Sequence, residues 1–177
     1  MRISKLIIMM VCWLWVAFAN AQSVETDTVS GNNVYAERAE MLMTPPYLAN
    51  WVGASFFTKD NVENDLGISP IAYNGGVVFY DLPKCNVGME FAGPEKVCIG
   101  ISFRLFGEEA YEFIDQMRAY GYVEQGSSKD LVAENNFQSL TNGRRTIYKC
   151  RLKSGDYSVC TVLEGQAVMF DFYRSKN

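Results

Sequence analysis

The sequence predicts an α+β fold of antiparallel β-meanders with helices packed on one face, and it admits two tandem α-β4 repeats. Three observations carry this. Val97, Ile99, Ile101, Phe103 and Leu105 alternate with Cys98, Gly100, Ser102 and Arg104, the period of a strand with one buried face. Asn74-Gly75 lies between two β-rich runs, and Asn-Gly marks a hairpin because both residues tolerate positive φ. Tyr111, Phe113, Ile114, Met117 and Tyr120 recur at helical spacing. With 177 residues, 49% of them apolar and 14% aromatic, the chain can fill one core or two small ones sharing an interface.

Residues 1–21 read as a secretory signal peptide: Arg2 and Lys5 precede an uncharged apolar run, and Ala19-Asn20-Ala21 supplies small residues for cleavage. The apolar run is too short to span a bilayer comfortably, and no later segment is long enough, so no integral membrane segment is expected after cleavage. Residues 22–33 are polar and are expected to form a flexible leader. A helix is expected over 34–43, capped by Asn33 and stopped by Thr44-Pro45-Pro46, with a second short helix over 47–52 ending at Gly53. Strands are expected over 68–73 and 77–82, then over 89–91 and 97–105 around Gly93-Pro94. The amphipathic helix covers 108–120 and closes at Gly121. After a polar stretch, strands are expected over 137–141 and 145–152 around Asn142-Gly143, then 157–163 and 167–173. The units run from 34 to 106 and from 107 to 177, either as two α-β units or as one continuous domain.

The chain contains no His, which removes imidazole general bases, Ser-His and Cys-His nucleophile pairs, and His metal ligands. After removal of the signal, 14 basic and 20 acidic groups leave a net charge of −6, which argues against a nucleic-acid partner. An exported chain, periplasmic or extracellular, meets an oxidising environment in which Cys85, Cys98, Cys150 and Cys160 are expected to pair. No Cys-x-x-Cys pair, Gly-rich phosphate loop, nucleophile elbow or metal motif occurs, so no cofactor and no metal are expected.

The two halves align with gaps. The segment from Thr58 to Asp65 faces that from Ser128 to Asn136, Asn74-Gly75 faces Asn142-Gly143, and Tyr80 faces Tyr148. Cys85 faces Cys150, Cys98 faces Cys160, and Ser102-Phe103 faces Asp171-Phe172. Were this a duplication, Cys85 would pair with Cys98 and Cys150 with Cys160, the latter requiring a three-residue loop between its strands to bring both cysteines to one face. In architecture alone, two α-β4 units in tandem resemble the β-lactamase inhibitor proteins, secreted chains of two repeats whose joined concave sheet grips an enzyme; none of that family's sequence motifs is matched. The resemblance implies an inhibitor of a secreted enzyme as one function.

Glu108, Glu109, Glu112 and Asp115 fall in the first turns of the amphipathic helix, where the backbone dipole favours negative charge, so they read as helix stabilisers. Asp60, Glu63 and Asp65 miss the calcium-loop spacing and read as a loop or helix cap. Arg145, Lys149, Arg151 and Lys153 occupy alternate positions of one strand and place a basic stripe on a sheet face of an acidic protein. The reading favoured is an exported, non-enzymatic protein that recognises a protein or glycan through a disulfide-braced sheet surface. The rival is a His-free, glycosidase-like hydrolase using two carboxylates from Asp81, Glu90, Asp156 and Asp171.

Overall fold

A computed structural model describes residues 40–133 and 140–176. The signal peptide, the leader and most of the first expected helix lie outside these residues; only its last turn, 40–42, is described and is helical. Helix α1 (Pro45–Trp51) begins with proline at its first position, where the missing N–H costs nothing. Helix α2 (Lys59–Leu66) starts at Thr58, whose hydroxyl accepts from the Asn61 N–H at 3.3 Å, and ends at Gly67 with φ 63°. Helix α3 (Gly107–Tyr120) ends at Gly121, φ 119°, whose N–H donates to the Met117 and Arg118 carbonyls.

Eight strands, β1 (Pro70–Asn74), β2 (Val77–Asp81), β3 (Asn86–Ala92), β4 (Val97–Leu105), β5 (Val123–Ala133), β6 (Leu140–Arg151), β7 (Tyr157–Glu164) and β8 (Val168–Ser175), form one antiparallel sheet. Its order is β1-β2-β3-β4-β8-β7-β6-β5, so two four-stranded meanders join through their last strands. The α+β antiparallel class read from the sequence therefore holds, in a single sheet.

One row of directly paired residues crosses all eight strands: Tyr73, Val78, Met89, Ile101, Phe172, Cys160, Tyr148 and Glu124. Its middle is fully buried and its two ends are exposed, so the core thins toward the sheet edges. Paired residues share a face, and this row marks the core face. A single apolar cluster joins it to Leu48 of α1, Val62 of α2, and Ala110, Phe113, Ile114 and Met117 of α3. Phe113 meets Phe103, Phe170 and Phe172 at centroid distances of 5.3, 4.9 and 6.2 Å, all edge-on, a favoured aromatic geometry.

Several expectations are corrected. Asn142-Gly143 is no turn; both residues lie within β6, opposite Leu131 and Asp130 of β5, a strand that the polar stretch after α3 supplies. Asp60 and Glu63 lie on α2, and among the described residues no group of three His, Cys, Asp or Glu is placed to hold a metal. Of the aligned halves, Tyr80 and Tyr148 lie on β2 and β6, and Ser102 and Asp171 on β4 and β8. Lys59 to Asp65 is helical where Ser128 to Ala133 is strand, and Cys98 is the second residue of β4 while Cys160 is the fourth of β7, so the two do not occupy equivalent strands of the meanders.

The structure forms neither expected disulfide; Cys85, Cys98, Cys150 and Cys160 are free thiols. Cys85 precedes β3 and Cys98 faces Phe91 near its far end, so the length of β3, about 20 Å, separates them. The β6–β7 connection does have three loop residues, since the Leu152 N–H donates to the Asp156 carbonyl, and both cysteines share the core face. They are nevertheless out of register: Cys150 faces Ser158 and Cys160 faces Tyr148. Such diagonal neighbours stand about 7–8 Å apart, beyond disulfide reach. Hydrophobic burial, rather than cross-linking, braces this sheet. Among the described residues no helix is long and apolar enough to cross a membrane.

Candidate functional site

The face opposite the core is built by the alternate residues of the same strands. Ala72, Phe79, Gly88, Ser102, Asp171, Thr161 and Ile147 form one transverse row across it. A second row runs Val77, Glu90, Gly100, Tyr173, Val159 and Lys149. A third runs Arg104, Met169, Leu163 and Arg145, and Arg151 faces Tyr157 beyond. The face is therefore mixed: Val77, Phe79, Val159, Leu163 and Met169 are buried on it, between half-buried or exposed polar and charged residues. At the β2–β3 end, Phe79 and Val77 pack over Gly88, where a Cβ would come within 3.1 and 3.2 Å of them.

The basic residues expected on one strand sit as predicted by strand period. Arg145, Lys149 and Arg151 project from β6 to this face, and Lys153 is exposed in the loop that follows. Lys149 Nζ lies 5.8 Å from the Tyr157 ring centre, a cation–π contact across the β6–β7 pair. The sequence did not reveal that Arg104 joins them; only the pairing of β4 through β8 and β7 to β6 brings it to the same row as Arg145.

The four carboxylates of the hydrolase reading are only partly brought together. Asp81 ends β2 and Asp156 lies in the β6–β7 connection, while Glu90 and Asp171 flank β4 on this face. A Cβ on Gly100 would lie 3.7 Å from Glu90 Oε2, and Ser102 Oγ donates to Asp171 Oδ1 at 3.2 Å. Both carboxylates thus lean over β4 from opposite sides, at positions about 7 Å apart along that strand.

A separate cleft of about 150 Å³ opens near the core face between the 40–44 turn, the β2–β3 connection and α3. Glu40, Glu109, Glu112, Lys84 and Cys85 line it, with Phe103 and Phe113 at its floor. Burial, then the Glu109 and Asp81 charges, push the Cys85 thiol up to about 12 against the opposing effect of Lys84. It is therefore a protonated wall residue and no nucleophile at neutral pH. Glu108, Glu109, Glu112 and Asp115 lie on the exposed side of α3, with Asp115 paired to Arg118 at 3.0 Å.

No known family, curated protein or solved structure matches this chain.

Proposed function

We propose that this is an exported, non-enzymatic binding protein that recognises a protein or glycan on the sheet face opposite the core. The observation that supports this reading is the division of the two faces. The core face buries its aromatic residues under helical side chains, while the other face gathers Arg104, Arg145, Lys149 and Arg151 beside Tyr157 and Tyr173. Alternating charged and aromatic side chains on a rigid sheet suit recognition of a polar macromolecule. The strand order is also what two tandem α-β4 units joined at β4 and β8 would give, with helices on one face, and inhibition of a secreted enzyme is one form such binding takes.

Immobilised protein offered the exported fraction should retain a defined protein or glycan. Thr161→Glu and Ile147→Glu should abolish retention, whereas Tyr111→Glu on the exposed side of α3 should not. Retention of nothing, or equal retention by all variants, contradicts the proposal.

A second reading, hydrolysis of a glycosidic bond by Glu90 and Asp171, is favoured by the approach of both carboxylates over β4. Turnover on a glycan panel that vanishes in both Glu90→Gln and Asp171→Asn would replace the binding reading with this one.

A further inference from the structure

We infer that the partner of this face is an acidic polypeptide segment, laid along β6 with its carboxylates against Lys149, Arg151 and Lys153. This rests on the reading of the face as a binding surface and adds the chemistry of what it binds.

The contrast between the two faces of β6 carries the argument. Arg144, on the core-face side, is neutralised from both neighbouring strands, by Glu124 at 3.3 Å and Glu164 at 3.9 Å. Lys149 and Arg151 on the other side, and Lys153 in the loop that follows β6, make no ion pair among the described residues, although the chain carries more acidic than basic groups and a net charge of −4. Residues two apart on a strand stand about 7 Å apart, so these cations repel one another and gain from a shared anionic neighbour. An extended acidic segment presents alternate side chains at the same spacing, carboxylate against cation. A glycan is disfavoured as occupant because the Tyr157 ring, the aromatic beside this stripe, already has the Lys149 ammonium over it. Along β6 the stripe thus offers point charges rather than a free aromatic ring.

The test is fluorescence anisotropy with labelled poly-L-glutamate long enough to span β6, at low and at physiological salt. Saturable binding is expected that weakens as salt rises and falls by about tenfold or more in Lys149→Ser/Arg151→Ser/Lys153→Ser. Lys84→Ser, which alters the cleft near the core face, should leave it unchanged. Unfolding midpoints of the variants establish that each is folded. Absence of binding at low salt, or equal affinity in the triple variant, overturns the inference. Binding of a heparin fragment but not of poly-glutamate also overturns it while leaving the face a binding surface. Failure of the Thr161→Glu and Ile147→Glu variants to lose a captured partner instead overturns the underlying reading of the face.

Discussion

Ser102 and Asp171 face each other across the β4–β8 pair, Ser102 Oγ donating to Asp171 Oδ1 at 3.2 Å, where the two meanders become one sheet. Ser102 is 4% exposed, so its hydroxyl has little access to replacement water. Ser102→Ala should lower stability by about 1–2 kcal/mol, since one charge-assisted hydrogen bond is lost at a buried site. Urea unfolding should shift in midpoint with an unchanged slope, because the same surface is exposed on unfolding.

Phe113 is the α3 residue that meets three sheet aromatics edge-on. Phe113→Ala should cost about 3–5 kcal/mol through lost burial and the cavity left among Phe103, Phe170 and Phe172. Tyr111→Ala, on the exposed side of the same helix, should cost far less. Thermal or denaturant midpoints of the two variants check the contrast.

Cysteine chemistry gives a sharper test. Titration of the unfolded chain should find the thiols of Cys85, Cys98, Cys150 and Cys160 all reactive, and the native protein should react slowly. Burial holds the Cys98 and Cys160 thiols above their ordinary value, and Cys85 is pushed up to about 12. A thiol raised on folding leaves stability intact below its unfolded value of 9.0 and removes it as pH rises, because the unfolded chain ionises first. Stability should therefore fall between about pH 9 and 12, and substitution of Cys85 by Ala should flatten part of that slope.

Gly53 follows α1 with φ 76°, and a Cβ there would lie 2.9 Å from the Arg174 Cβ. Arg174 in turn donates to the carbonyls of Asn50 and Gly53, tying the end of α1 to β8. Gly53→Ala should destabilise by about 1–3 kcal/mol, combining left-handed strain with the close contact. An unchanged denaturation midpoint would contradict this account of the α1–β8 junction.

Legibility followed burial. The alternation over Ile101, Phe103 and Leu105, the hairpin signal at Asn74-Gly75 and the Phe113, Ile114 and Met117 stripe of α3 are readable because these residues turn one face to the core. The rest of each reading shifts: a bulge opposite Glu90 and Phe91 sends Cys98 inward and leaves Ile99 39% exposed, Asn74 pairs with Val77 so that the loop is Gly75-Gly76, and Tyr111 and Tyr120 of α3 lie outside the core. α2 was hidden because its buried Val62 stands amid Lys, Asp, Asn and Glu, which leaves no clear apolar stripe; Thr58 and Gly67 were its remaining signals. β5 was hidden for the related reason that it is an edge strand, and its Glu-Gln-Gly-Ser-Ser-Lys run shows no apolar alternation. Without β5 in view, Asn142-Gly143 took the place of the true strand connection. The stripe of Arg145, Lys149 and Arg151 was legible from a single strand, but Arg104, Glu90 and Asp171 reach the same face only through the β4–β8 pairing, which no local pattern encodes.

The most direct test of recognition by the second face is a lysine footprint. The chain is acylated in the native cell fraction that contains it and again after purification, and the rate at each lysine is read by mass spectrometry. Lys149 and Lys153 should be acylated several-fold more slowly in the native fraction, with Lys84 unchanged. Equal rates at Lys149 and Lys153 in the two preparations would contradict the account.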